Sequence, residues 1–200
     1  MRKQQIIAGV CLALVLIVAL VTRLQPQDGL LSFRVVGNVA YGNGYTDTDS
    51  ARVVRNLVNE HPSVTQLILQ RMSGTRNADA NLKIARDIRN FNLATHLEAD
   101  SYIASGAVDL FLAGTQRSMD CGAKIGVHSW GLTGADGRFS PETMGSDSRK
   151  RIQERFLRDM GLDPAFYVFT RDAAGPNEIY ILTAEDIARF GILTEDGCRE

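Results

Sequence analysis

Residues 99–114 read ADSYIASGAVDLFLAG, and small side chains there surround Ser105 directly before an apolar run of helical length. This spacing places the serine at the N-terminus of a helix over 105–112. Backbone N–H groups at such an end can hold an oxyanion, and the absence of bulk at Ala104, Gly106 and Ala107 lets a substrate approach the hydroxyl. Read locally, the same pattern also describes a serine N-cap beside closely packed small residues.

Working outward, KIGVHSW begins at Lys124 and places His128 at the end of a predicted strand over 124–129. Parallel sheets collect functional groups at the C-terminal ends of their strands, which makes His128 a candidate base. His61 precedes Pro62 in a predicted loop, and His96 falls in a predicted strand, 94–97. The three histidines show no paired spacing, so no metal site is expected. Upstream, the pattern predicts a strand over 31–40, a helix over 51–59 closed by Pro62, a strand over 64–70 and a helix over 77–90. Downstream it predicts a helix over 148–160, a strand over 178–182 and a helix over 184–189. Strands alternating with helices predict an α/β domain with a mostly parallel sheet. Thr46-Asp47-Thr48-Asp49-Ser50 looks like part of a cation loop, but the further oxygen ligands are missing and the segment reads as a helix cap. The polar stretch 140–148 reads either as an excursion covering the His128 region or as an ordinary surface loop. The charged helix after it alternates signs and keeps Ile152 and Phe156 on one face, the pattern of a solvated helix packed on one side.

The N-terminus reads differently. Residues 6–21 hold sixteen residues without a charge, after Arg2 and Lys3. At 1.5 Å per residue that run covers about 24 Å, short of a bilayer's hydrocarbon thickness of about 30 Å but longer than a usual signal-peptide core, so length alone does not decide between the two. The following residues lack a small-x-small cleavage site, and Arg23 can snorkel to the interface. Residues 1–24 are therefore expected to be a signal anchor, with a cleaved signal peptide as the alternative. The span through 6–24 is followed by a linker at 25–30 containing Pro26 and Gly29, and by a single domain over 31–200. The positive N-terminal flank predicts that this domain lies outside the cytoplasm, in the periplasm if the source is Gram-negative. Without residues 1–24 the chain carries 19 basic against 23 acidic side chains. That mild acidity, with no basic cluster, excludes nucleic acid as a partner. An exported domain meets oxidising conditions, so Cys121 and Cys198 either form a disulfide or remain two free thiols.

The order of IASGAVDLFLAG, Arg117 and KIGVHSWG resembles the nucleophile helix and histidine strand of the Clp protease proteolytic subunit and crotonase superfamily, and is most similar to its small exported members. The resemblance extends over most of 31–193 and includes LTAEDIARFG at 182–191, which is similar to the Ser-Ala-x-x-Ala-x-x-x-Gly close of Clp-type subunits. It implies a spiral of βα units, a homo-oligomer, no cofactor, and a peptide or other acyl substrate. In Clp-type peptidases the nucleophile precedes the glycine closing its helix by nine residues, the offset from Ser105 to Gly114. Ser105 is thus the implied nucleophile and His128 the implied general base. The family's aspartate position falls on Ile179, which cannot orient a histidine. Glu178 beside it is the candidate third member, with a plain surface glutamate as its other reading and Asn177 as a neutral substitute. The oxyanion loop, commonly Ser-Pro-Gly-Gly, reads Ser73-Gly74-Thr75-Arg76 here. Gly74, Thr75, Arg76 and Gly106 are accordingly the oxyanion and substrate-loop candidates. Two main functions follow as expectations: a serine hydrolase of the peptidase kind, or a non-catalytic binding scaffold with a degraded oxyanion loop. An acyl-thioester enzyme is a third reading, weakened because an exported domain does not ordinarily meet coenzyme A.

Overall fold

The computed structural model describes residues 29–129, 132–133, 139–140 and 147–200. The expected anchor at 1–24, residues 25–28 of the linker and residues 141–146 of the polar excursion lie outside the described residues. No helix among the described residues is long and apolar enough to cross a membrane.

A hairpin opens the domain. Strand β1 (Ser32–Val36) pairs antiparallel with β2 (Val39–Thr46) across the Gly37-Asn38 turn, so Val36 faces Val39. The single strand expected over 31–40 is in fact two strands, because this Gly-Asn dipeptide reverses the chain. Helix α1 (Ser50–Glu60) follows. Asp47, rather than the N-cap Asp49, secures its start: Asp47 Oδ1 accepts from the N–H groups of Asp49 at 3.0 Å and Ser50 at 3.1 Å. Strand β3 (Gln66–Thr75) and helix α2 (Ala78–Asn90) come next, and the Asn77 side chain caps α2 by accepting from Ala80 N–H.

The ten residues of β3 serve two neighbours. Its first part, Gln66–Ile68, pairs with β4 (Ala94–Leu97), and its later part, at Arg71 and Met72, pairs with β5 (Tyr102–Ala104). Strand β4 continues to β6 (Arg117–Met119), and β5 to β7 (Lys124–Val127), all in parallel. The sheet therefore forks at β3. In the cleft of this fork lies α3 (Gly106–Leu112), whose Ala107, Val108, Leu110, Phe111 and Leu112 are buried. Short strands β8 (Leu132–Thr133) and β9 (Phe139–Ser140) pair with each other, apart from the main sheet.

Helices α4 (Asp147–Asp159) and α5 (Ala165–Ala173) precede β10 (Tyr180–Ile181), which joins β7 antiparallel, and α6 (Ala184–Arg189) ends the helical sequence. The strand expected over 178–182 contracts to two residues. Helix α5 was not expected, because its alternation of aromatic and polar residues gives a weak helical signal. Its Phe166 and Phe169 pack on Phe190, with ring centroids 5.2 and 4.9 Å apart, and supply the tertiary contact that holds the segment.

Two ties hold the C-terminal part. The buried Arg117 side chain donates from Nε to the carbonyl of Ile192 at 2.7 Å and from Nη2 to that of Gly191 at 3.1 Å. A cation at these carbonyls satisfies the end of α6, and this explains why an arginine occupies an internal strand. Cys121 and Cys198 are bridged, with Cα atoms 5.0 Å apart.

Candidate functional site

Ser105 is the junction between β5 and α3, and its backbone has φ 55° and ψ −130°. A non-glycine residue there is strained by about 1–3 kcal/mol, so the surroundings must impose the conformation. They do so from both sides: Ser105 N–H donates to Gly126 O on β7 at 3.0 Å, while Ser105 O accepts from Val108 N–H at 2.9 Å. The first bond continues the β5–β7 ladder, and the second begins the helix.

The expected oxyanion loop is instead the end of β3: Ser73, Gly74 and Thr75 are strand residues, and together with Arg76 after them they close on this junction. A Cβ built on Gly74, which has φ 130°, would lie 3.0 Å from Ser105 Cβ, and one on Gly106 would lie 2.5 Å from Thr75 Cγ2. Gly74 is favoured by its positive φ and by the Ser105 side chain in front of it, and Gly106 by the Thr75 side chain that fills the space of a Cβ. Thr75 spends its hydroxyl on the carbonyl of Asn77 at 3.0 Å, and Arg76 N–H donates to Thr46 O at 2.8 Å. Neither the N–H of Arg76 nor that of Ser105 is therefore free for an oxyanion. Gly106 N–H stands at the first position of α3, before any intrahelical acceptor, and is the donor that remains beside the serine.

Ser105, Gly106, Thr75, Arg76 and His128 line one cavity of about 330 Å³, within the usual range of ligand pockets. Gly74 supports it from behind through its contact with Ser105. His128 follows the C-terminal end of β7 and is half-buried; its Nδ1 is buried and has no hydrogen-bond partner among the described residues. No hydrogen bond links Ser105 Oγ to His128 among the described residues. Glu178 is not brought to the histidine. Its side chain is exposed, lies outside the cavity lining and turns toward Gly175, while the antiparallel register of β10, with Tyr180 opposite Val127, brings Ile179 toward the strand end instead.

Two site residues, Asp109 and Asn81, escaped the sequence reading. Asp109, one helical turn beyond Ser105, lines the cavity, and burial pushes its carboxyl up to about 7 against the hydrogen bonds that favour ionisation. Its Oδ2 accepts from Asn81 Nδ2 at 3.0 Å and its Oδ1 from Gln153 Nε2 at 3.0 Å. Asn81 is fully buried and satisfied: it also donates to Gly106 O at 2.8 Å and accepts from Thr46 Oγ1 at 2.7 Å. This amide ties the end of β2, α2 and the start of α3 together behind the serine. A polar residue on an apolar face was the available signal, since Asn81 shares its helical stripe with Ala85 and Ile88, and Asp109 interrupts VDLFL. Val108, Val127, Leu157 and Phe166 form apolar walls, and Asp79 and Arg149 form an ion pair that also lines the cavity. The Arg149 bond holds the Asp79 carboxyl below its ordinary range. Among the described residues no cluster of potential metal ligands occurs.

No family model matches the chain, and the comparison with curated proteins finds no match. Solved structures do resemble it. A membrane-bound stomatin-specific protease with a serine-to-alanine change has a TM-score of 0.52 at 14% identity, covering 80% of this chain and 80% of that one. A lysine-to-alanine variant of such a protease, in complex with a substrate peptide, also gives 0.52 at 14% identity, covering 80% of this chain and 75% of the other. An enoyl-CoA hydratase/isomerase family member is similar at TM-score 0.48 and 13% identity, over 83% of this chain and 69% of its own. The forked, mostly parallel sheet, followed over four fifths of the chain by the protease structures, is the fold of the Clp/crotonase superfamily.

Proposed function

We propose that this protein is a membrane-anchored serine hydrolase of the peptidase kind, with its catalytic domain outside the cytoplasm. The observation that carries the reading is the strained Ser105 backbone at a strand-to-helix junction, facing a cavity that also contains His128. Strain of this kind persists only where the fold over-determines it, and here it sets the hydroxyl at the cavity wall. In the proposed reaction Ser105 Oγ attacks the substrate carbonyl carbon and passes its proton to His128. The oxyanion meets Gly106 N–H. His128 then protonates the leaving amine, and water releases the acyl group by the same steps in reverse order.

The solved protease variants alter a serine and a lysine, but Lys83, Lys124 and Lys150 of this chain all lie outside the cavity lining. His128 is therefore the base proposed here. The binding-scaffold reading also has specific support: among the described residues Ser105 and His128 are not hydrogen bonded and no acid orients His128 Nδ1, and Arg76 N–H is spent on Thr46. Labelling the detergent-solubilised full chain with a fluorophosphonate separates the two. The hydrolase reading expects Ser105 to be modified in wild type, with labelling abolished in Ser105→Ala and strongly slowed in His128→Ala. A folded wild type that never labels overturns it in favour of the scaffold.

A further inference from the structure

Asp109 has no part in the acyl-transfer scheme, yet it shares the cavity with Ser105. The four-residue spacing on α3 puts both on one helical face. Its carboxylate receives two hydrogen bonds, both from neutral amides, and no ion pair reaches it among the described residues. Each carboxylate oxygen can accept more than the single bond it holds, so acceptor capacity remains. A half-buried carboxylate without a cation is costly, and desolvation, the main cause of its raised carboxyl, reflects that absence. The surrounding walls, Val108, Val127, Leu157 and Phe166, are apolar.

We propose that this cavity is a side-chain pocket for a primary amine on an apolar stem, of the lysine type, and that Asp109 is its specificity-determining residue. The amine brings the missing positive charge, and the stem covers the apolar walls. An ammonium suits the remaining acceptor positions better than a guanidinium does. The planar fork of arginine needs both oxygens side by side, and each oxygen already holds an amide donor, whereas three donors on a compact point charge adapt to one oxygen. The other charged or titratable groups lining the cavity are Arg76, from the loop after β3, Asp79 on α2, Arg149 on α4, His128 after β7 and Tyr167 on α5. Arg149 is paired with Asp79. Arg76 opposes a cation, but its guanidinium lies 4.1 Å over the Tyr45 ring. That the pocket serves the acyl group of a substrate rests on the hydrolase reading; the preference for an amine does not.

The test uses the full chain in detergent and two probes differing only at the tip, N-acetyl-lysine methylamide and N-acetyl-norleucine methylamide. Binding is followed through the side-chain amide NMR signals of Asn81 and Gln153. The lysine probe is expected to bind at least tenfold tighter at pH 8.5, with the ratio collapsing in Asp109→Asn. Equal affinities overturn the proposal, as does a ratio that survives in a folded Asp109→Asn protein. Wild type alone supplies a second measurement: the ratio must fall at pH 5, where the Asp109 carboxyl is protonated, and an undiminished preference there also overturns it. Lysyl and norleucyl phosphonates then test the reaction. Selective binding without modification of Ser105 supports the pocket and sinks the hydrolase reading. Modification of Ser105 without amine selectivity does the reverse.

Discussion

The described residues hold two serine–histidine pairs, and the better hydrogen-bonded one lies away from the Ser105 cavity. On β4 and β6, His96 Nδ1 is 2.9 Å from Ser118 Oγ, and His96 Nε2 is 3.4 Å from an Asp120 oxygen. Ser118 and His96 are buried and face each other in parallel register. They do not line the Ser105 cavity, and Ser118 lies in a regular strand. Ser105 and His128 show the opposite combination: no mutual bond, a strained backbone and open space in front. A hydrogen bond between serine and histidine is therefore insufficient evidence of chemistry, because a buried pair satisfies itself and admits no substrate. Access and an imposed conformation distinguish the candidate site.

The most decisive way to break this contrast is to exchange the two serines for alanine separately. Ser105→Ala is expected to abolish fluorophosphonate labelling and Ser118→Ala to leave its rate unchanged, as read by intact mass. Labelling that follows Ser118 would reverse the assignment. His128→Ala sharpens the same point, with an expected loss of at least about 100-fold in labelling rate, the usual range for a general base. His96→Ala should instead reduce stability, measured by thermal unfolding, without a comparable kinetic loss.

The disulfide adjoins the buried constellation through Cys121 and spans 77 residues. Loop-closure entropy makes its contribution about 4 kcal/mol, so Cys121→Ser with Cys198→Ser should lower stability by that order in denaturant unfolding. Labelling of the remaining folded protein should persist, since neither cysteine lines the cavity.

On the cavity side, the effect depends on pH. The Asp109 carboxyl titrates at about 7 in the fold against an ordinary value of 3.8, so the native state holds its proton more tightly than the unfolded chain. Its stabilising effect is full below the lower value and is lost as pH rises through the upper one. At about 1.4 kcal/mol per pH unit, the ionised side chain costs up to about 4 kcal/mol by pH 8.5. Asp109→Asn, which does not titrate, should therefore gain on wild type between pH 4.5 and 8.5 in urea unfolding. A constant difference would refute the burial argument. The smallest expected effect belongs to Gly74→Ala, at about 2 kcal/mol, because a Cβ there meets Ser105 in a backbone conformation disfavoured for alanine. Slower labelling should accompany it.

The elements legible in the sequence were those with helical periodicity, a cap or flanking turn residues. The expected helix over 77–90 appears as α2 at Ala78–Asn90, and the strand over 94–97 and the helix over 184–189 appear with the same limits. Strands β5 and β6 were missed because three residues carry no measurable alternation, and only pairing with β3, β4 and β7 makes them strands. Ser105 and His128 were visible through their place between strand and helix. Asp109 and Asn81 were overlooked because a periodicity argument counts them as blemishes in apolar faces, whereas their partners come from other elements. The reverse happened with Glu178: its nearness in sequence to a family position carried no information about which way the short β10 directs its side chain.

The bridge between Cys121 and Cys198 has a consequence for isotope exchange. Cys121 N–H donates to Arg199 O, and Arg199 N–H donates to Met119 O, both at 2.8 Å, so the last residues form a two-bond extension of β6. With the bridge intact, opening this extension requires movement of a covalently closed loop; after reduction that constraint is removed and the two bonds open more readily. Deuterium uptake at those two amides therefore gauges the oxidation state of the chain, readable in a folded sample without chemical modification of either sulfur.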